Sequence, residues 1–587
     1  MYMNEFAHYY NSIRGDTVKD LLMDIGSTFV KYAVFDSLED KYIISEKLPF
    51  PSPCSEDPFT VGRRQIETVV KAVMATAKEN DCARVFISVQ MHGFFIKYKS
   101  GEFSDYFSWR SGGGDLESED LLSIDFSKRG TRLKANLPIA KLYRNKTELV
   151  GAEYFTLGSY IAYLLTGKNE AHKTDAYASG FYLLDGSKDE ETIPGLVLPT
   201  VHDEVDVCGT WCGIRIYSPV GDHAASVYGS GIGEDTYLLN IGTTSQIAFV
   251  GEGKAPSDMW ESRPYFENGK TLFTLGNLFY GLYKDTDRYC NEAAKIINSL
   301  PKRAKILVGG GGALDIMEKL SACVDMPCTS VGCSIGLEGL VNLAKQKRTS
   351  VGSMLSEVPF TNMPLIMKNS GLDFMIVDNE HGTFDYTFLA KMFTVSRMAD
   401  FRTIVRIPDN SRAWITKCVD AGADGFLLPM TNRAEDIEKV VEYAKYAPVG
   451  KRGISTMRAH TLYAPPALSE YMPAANERIK VYAQIETAKG VENIEEILAT
   501  TGVDGVFIGP NDLSCDLGCI GDNAPIFEAI ENVSAAAKKV CKPFGIITTT
   551  KALLDKATEC GASMISYGSE LNMLANECKK IRGMFNG

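Results

Sequence analysis

From Arg478 to Ser514 the chain reads RIKVYAQIETAKGVENIEEILATTGVDGVFIGPNDLS, and this stretch limits the possible folds more than any other. Two short runs rich in β-branched residues, Ile479 to Ile485 and Val503 to Ile508, flank a segment, Val491 to Ala499, whose apolar residues recur at helical spacing. A strand, a helix and a parallel strand form the βα repeat of an α/β barrel. Each strand delivers an acid just past its C-terminal end, Glu486 after the first and Asp512 after the second. In such barrels the chemistry sits on the C-terminal rim. Two carboxylates on neighbouring strand ends can share one hard divalent cation. Taken singly, each could be an ordinary loop acid, with Asp512 capping a helix; the pair points to a metal.

The rest of the second half, residues 351–587, repeats the pattern. Strand-like runs fall at Asp373 to Val377, Thr403 to Ile407, Gly425 to Leu428, Val481 to Ile485, Gly505 to Ile508, Pro543 to Ile547 and Met564 to Ser566. A single (β/α)8 TIM barrel is expected, with one strand unplaced. Besides Glu486 and Asp512, four stretches are expected at its rim. One strand ends in Asp378-Asn-Glu-His-Gly382, and Arg406 closes another. Asp420 precedes a third strand, and Arg458 lies on a long loop with Gly450-Lys-Arg-Gly-Ile-Ser455.

The first half carries a different signature. Leu21-Leu-Met-Asp-Ile-Gly-Ser-Thr28 is an apolar strand running through Asp24 into a small-residue turn, Gly26, Ser27 and Thr28, with a second strand behind it. Leu238-Leu-Asn-Ile-Gly-Thr-Thr-Ser-Gln246 repeats it with Gly242, Thr243 and Thr244. A third turn, Gly309 to Gly312 with Gly310 and Gly311 at its centre, lies between a strand and a helix. Small residues leave backbone N–H groups free for phosphate oxygens, and Asp24 could hold Mg²⁺. Three such turns in this order point to a nucleotide cradle. Ser88-Val-Gln-Met-His-Gly93 closes a strand, and Gly221-Asp-His-Ala-Ala225 sets an acid at the start of a small-residue helix. A polar stretch, residues 344–350, is the expected linker between a 17–343 domain and the barrel.

On these motifs the first half resembles the FGGY carbohydrate kinases, with the Gln-Met-His-Gly form closest to xylulokinases and sedoheptulokinases. The resemblance implies the two-lobed actin-like ATPase (ribonuclease H-like) fold and Mg-ATP. It implies Asp222 as the general base toward a ketose hydroxyl, Met91 and His92 as sugar contacts, and Asp24 as a Mg²⁺ ligand. Gly26, Ser27, Thr28, Gly242, Thr243, Thr244, Gly310 and Gly311 would surround the nucleotide. A hydroxyl attacking a γ-phosphate needs positioning, charge neutralisation and a nearby proton acceptor. Two departures stand out. Arg110-Ser-Gly-Gly-Gly-Asp115 follows Trp109 where the family has an acid and an arginine, and the second lobe is short. An active kinase and a non-catalytic sugar- or nucleotide-sensing domain are both compatible with this half.

The second half resembles the HpcH/HpaI pyruvate aldolases through Asp378-x-Glu-His-Gly382, Gln484-x-Glu-Thr487 and Ile508-Gly-Pro-x-Asp-Leu-Ser514. That resemblance implies cleavage of a 4-hydroxy-2-oxo acid to pyruvate and an aldehyde, with Mg²⁺, Mn²⁺ or Co²⁺ on Glu486 and Asp512. It implies His381 as acid/base, oriented by Asp420. Arg406 would lie on the keto oxygen, Gln484 on the substrate and Arg458 on the far end of a longer substrate. It also implies a homo-oligomer, typically a hexamer.

Composition narrows the partners to small molecules. A net charge of -13 argues against nucleic acid. No run approaches bilayer length, and the opening residues lack the apolar core of a signal peptide. The 14 cysteines are therefore read as reduced thiols of a cytoplasmic protein. Cys208 with Cys212, and Cys515 with Cys519, lack partner pairs at zinc-finger spacing.

Overall fold

Strand β1 (Lys19–Ile25) is buried on both faces, with Leu21, Met23 and Ile25 in one core and Leu22 in another. That alternation makes it a central strand with helices on either side. The computed structural model describes residues 19–585, apart from 38, 54–59, 111–112, 234, 243–244, 268, 279–284, 541 and the side chains of 277 and 278. Its contacts divide the chain into two compact units, one holding 16–346 and the other 347–587.

In the first unit β1 pairs antiparallel with β2 (Phe29–Asp36), and β2 with β3 (Lys41–Pro49). On its other side β1 runs parallel to β4 (Arg84–Val89). Beyond β4 the sheet continues through β5 (Val207–Trp211) and β6 (Ile214–Tyr217), in the order β5-β6-β4-β1-β2-β3. The second sheet contains β7 (Thr236–Ile241), β8 (Ser245–Gly251), β9 (Glu261–Pro264), β10 (Thr271–Leu278), β11 (Lys305–Gly309) and β12 (Cys328–Ser330). Its order is β9-β10-β8-β7-β11-β12. The antiparallel meander β7-β8-β10 and the parallel pair β7-β11 repeat β1-β2-β3 and β1-β4. The unit is thus one topology used twice, the arrangement of the actin-like ATPase fold.

Two helices join the lobes, α1 (Asp222–Gly229) and α2 (Ile335–Gln346). They meet backbone to backbone. A Cβ on Gly229 would lie 2.0 Å from the Ile335 carbonyl oxygen, and one on Gly339 2.0 Å from that of Ala225. Only glycine at both positions allows this approach.

The second unit is a closed parallel barrel of eight strands. They are β13 (Ser350–Leu355), β14 (Phe374–Asp378), β15 (Arg402–Arg406), β16 (Gly425–Leu428), β17 (Lys480–Ile485), β18 (Gly505–Ile508), β19 (Phe544–Thr548) and β20 (Met564–Ser569). Inward side chains such as Ile376, Ile404, Leu427, Tyr482 and Phe507 fill the interior, while the alternate residues pack under the helices. The strand that the sequence leaves unplaced is β13.

Helix α2 continues through Ala344 to Gln346, because Leu343 and Ala344 extend its buried face. Ser350 opens β13, so only Lys347, Arg348 and Thr349 of the expected 344–350 linker lie between elements. Among the described residues no helix is long and apolar enough to cross a membrane.

Candidate active sites

A cavity of about 690 Å³ opens in the first unit. The turn after β1 brings Gly26, Ser27 and Thr28 to it, the turn after β7 brings Gly242, and the loop after β11 brings Gly310 and Gly311. Thr243 and Thr244 lie outside the described residues. Asp24, Met91, His92 and Asp222 line the same space. Gly310 has φ +92°, and a Cβ there would sit 2.4 Å from the Ile241 carbonyl oxygen, so this turn lies flat on the end of β7.

Asp222 occupies the first turn of α1, whose N-cap is Gly221, so Asp222 is not the capping residue. Burial, with the Asp24 and Asp175 carboxylates nearby, pushes its carboxyl up to about 8. Asp24 accepts a 2.7 Å hydrogen bond from Ser88 Oγ and has Lys31 Nζ 4.0 Å away. Burial raises its carboxyl too. Two acids that hinder each other's ionisation suit a site that receives a cation. His92 is held at φ +65°, with Nδ1 2.7 Å from the Ala178 carbonyl oxygen. Burial drives its pKa down to about 3, so the ring is neutral. Since a carbonyl only accepts, Nδ1 carries the proton and Nε2 is left as an acceptor.

Several cavity groups escaped sequence reasoning: Lys31, Gln90, Lys134, Gln246, Glu261, Arg263 and Thr274 also line the space. Next to the lining residue Trp109, Arg110 Nη2 lies 3.3 Å from Ser27 Oγ and adds positive charge to a phosphate-type turn. Both side-chain amide atoms of Gln90 are buried without a partner among the described residues. Buried polar groups are nearly always paired, so unpaired ones around a cavity mark a place for a polar ligand.

At the barrel rim Glu486 is buried at the end of β17 and accepts from the Met430 backbone N–H at 2.5 Å and from Gln484 Nε2 at 2.7 Å. Gln484 Oε1 has no partner among the described residues. Asp512 stands exposed in the first turn of α6 (Pro510–Asp516), after β18. Burial, then the Glu380 and Asp512 carboxylates, push Glu486 up to about 7. Burial likewise raises Glu380. Three carboxylates therefore converge and repel.

Arg406, at the end of β15, donates Nε to Asp378 at 3.0 Å and Nη2 at 2.7 Å, and its Nη1 lies 3.2 Å from Glu380. The Asp378 fork holds the guanidinium plane. His381 follows on an exposed turn, Nε2 3.8 Å from Glu380. Gly382 permits that turn, because a Cβ there would lie 2.2 Å from the Asp378 carbonyl oxygen.

Two expected rim residues are elsewhere. Asp420 is in the last turn of α3 (Arg412–Ala421) and pairs with Arg452 at 2.9 Å, not with His381. Arg458 lies between α4 (Ala434–Ala444) and α5 (Leu468–Arg478), bonded to Ser455 on its own loop at 3.1 Å. In a βα barrel the helices run back, so helix C-termini and the loops after them lie at the N-terminal end of the strands. Within one chain both residues are thus at the opposite end from the rim.

The HpcH/HpaI aldolase/citrate lyase family model matches residues 361–577. A 5-keto-4-deoxy-D-glucarate aldolase of Klebsiella pneumoniae is 33% identical over 218 residues, 37% of this chain and 84% of that protein. The chain belongs to the HpcH/HpaI family. An HpcH/HpaI aldolase structure from Desulfitobacterium hafniense shares 33% identity, with a TM-score of 0.40, covering 42% of this chain and 97% of that one. Over the other half, a ligand-bound xylulose kinase from Lactobacillus acidophilus is similar at 17% identity and a TM-score of 0.47, covering 56% of this chain and 89% of that one. The HpcH/HpaI match falls on the barrel that carries Glu486, Asp512, Arg406 and His381.

Proposed function

We propose that the barrel is a metal-dependent aldolase cleaving 4-hydroxy-2-oxo acids, such as 2-dehydro-3-deoxy sugar acids, to pyruvate and an aldehyde. We further propose that the first unit is an ATP-dependent sugar kinase. The convergence of Glu486, Asp512 and Glu380 beside Arg406 carries the aldolase reading. A donor set of oxygen alone fits Mg²⁺ or Mn²⁺, and the raised Glu486 carboxyl marks a site where a cation would relieve repulsion. Glu486 and Asp512 would hold that ion, which when bound supplies Lewis acidity toward the 2-oxo acid.

The chain's own groups do the rest. Arg406, fixed by Asp378, presents preorganised positive charge where charge collects on the pyruvyl oxygen during C–C cleavage. His381, open to solvent, takes the proton of the 4-hydroxyl and returns it in the reverse direction. Gln484 Oε1 offers an acceptor to a substrate hydroxyl. In the first unit, Asp222 would accept the sugar hydroxyl proton, and the three turns would hold the nucleotide phosphates with Mg²⁺ on Asp24.

Product analysis tests the aldolase reading. Purified protein with a panel of 2-oxo-3-deoxy acids should release pyruvate with Mg²⁺, Mn²⁺ or Co²⁺ and none in excess chelator. Full turnover in chelator would reject it in favour of a lysine Schiff base. The second reading of the first unit, a sensing domain, is favoured by Arg110, whose guanidinium is engaged with Ser27 where a catalytic relative has an acid.

A further inference from the structure

The wall of the first unit's cavity around His92 carries more positive charge than a neutral sugar needs. Lys134 Nζ and Arg263 Nη2 share one carboxylate, that of Glu261, the latter at 2.7 Å. Both cations lie in the field of the His92 ring and line the cavity. Two cations on one anion leave one positive charge without a counter-ion at that wall.

The donors there are also unfinished. Arg263 Nε is buried with no hydrogen-bond partner among the described residues, as is the hydroxyl of Thr274, the residue paired with Glu261 across β9 and β10. His223 Nε2, directly after Asp222, is buried and unpartnered as well. A neutral polyol would leave that surplus charge, shared between the largely buried Arg263 and the half-exposed Lys134, without a counter-ion. A carboxylate would neutralise it, and a guanidinium recognises carboxylates through parallel N–H donors.

We propose that the phosphoryl acceptor of this cavity is a polyhydroxylated carboxylic acid, an aldonate or 2-oxo aldonate, rather than a neutral ketose. Its carboxylate lies on Arg263 and Lys134, and a hydroxyl at its other end faces Asp222. This rests on the kinase reading of the unit. In the step, the hydroxyl oxygen forms a bond to the γ-phosphorus of ATP and the bond from that phosphorus to the β,γ-bridging oxygen breaks. ADP leaves, and the hydroxyl proton passes to the Asp222 carboxylate. Both units would then handle one chemical class, sugar acids.

The test uses the full chain carrying Glu486→Ala, so that the barrel neither holds the acid nor releases pyruvate. D-Gluconate, a 2-oxo-3-deoxy aldonate and D-xylulose are offered with Mg-ATP, with transfer followed by ³¹P NMR and binding by calorimetry. The acids should exceed xylulose at least about tenfold in kcat/KM. Arg263→Gln should raise KM for gluconate by about ten- to a hundredfold, the loss of one charge-assisted contact. Lys134→Met, at a more exposed position, should act in the same direction. ADP binding by each variant reports that the site is still folded. Preference for xylulose, or a gluconate KM indifferent to both substitutions, overturns the proposal. If nothing is phosphorylated, the kinase reading fails and calorimetry decides separately. Gluconate binding that Arg263→Gln abolishes keeps the acid site, and absence of gluconate binding overturns it.

Discussion

Arg406 has two of its nitrogens committed to Asp378 and a third beside Glu380. A purely structural pair would tolerate Arg406→Lys, since the charge survives. A guanidinium poised for an oxyanion would not, because lysine is a point charge on a flexible stem and cannot fill the Asp378 fork while reaching substrate. Arg406→Lys should therefore lower kcat by a hundredfold or more, about 3 kcal/mol, with a smaller change in KM. It should also slow proton exchange at the methyl group of pyruvate, read by NMR. Unchanged exchange and cleavage would make Arg406 a structural residue. Glu486 supplies a pH test. Without a cation its carboxyl stands at about 7, above the ordinary 4.5. Between those values the folded chain keeps a proton that the unfolded chain has lost. Its contribution is complete at low pH and is lost as pH rises toward 7, by up to about 3 kcal/mol. Melting curves in chelator should show that decline. Saturating Mg²⁺ should remove it and Glu486→Gln should flatten it.

Elements explain what could be read in advance. Seven barrel strands are legible because runs such as Phe374-Met-Ile-Val and Val506-Phe-Ile are apolar and β-branched or aromatic, as fully buried parallel strands must be. Ser350–Leu355 is not, for a packing reason. A Cβ on Gly352 would meet the Phe374 ring at 2.6 Å, and the buried Ser353 Oγ donates to the Gly568 carbonyl at 3.0 Å. Small and polar residues are required there, so the strand lacks the usual pattern. Asp420 is misread because it closes α3, and Arg458 because it lies between α4 and α5: a helix whose ends the sequence does not mark exchanges one end of the barrel for the other. Lys134 and Arg263 belong to no motif, and only the fold brings them together. A close contact against the Glu486 carboxylate gives a prediction. Gly509, between β18 and α6, would place a Cβ 2.6 Å from Glu486 Oε2 and 2.9 Å from Gln484 Nε2. Gly509→Ala should turn the carboxylate aside and weaken Mn²⁺ binding about ten- to a hundredfold in a calorimetric titration. The far-UV circular dichroism of the barrel should be unchanged.

At the level of the whole molecule, the division into two units predicts that they work separately. A chain beginning at Lys347 should fold and cleave substrate at the full-length rate. Asp222→Asn in the full chain should stop phosphoryl transfer and leave cleavage intact. We expect the barrel to assemble as well. Met457, Tyr463, Leu574, Ile581 and Met584 are large, apolar and exposed on one chain, on the loop before α5 and on α7 (Glu570–Met584). Light scattering of the 347–587 fragment should show a hexamer, and an active monomer would refute this. The seam of the barrel has a consequence for synthesis. Strand β13 is the first barrel strand to leave the ribosome, and one of its two partners, β20, is the last, with Ser350 opposite Met564. At roughly 5–20 residues per second, β13 waits about 10–40 s with one edge open. Open apolar edges recruit other nascent chains. The serines and glycine that hide this strand from pattern reading also make it a poor template for such pairing during the wait.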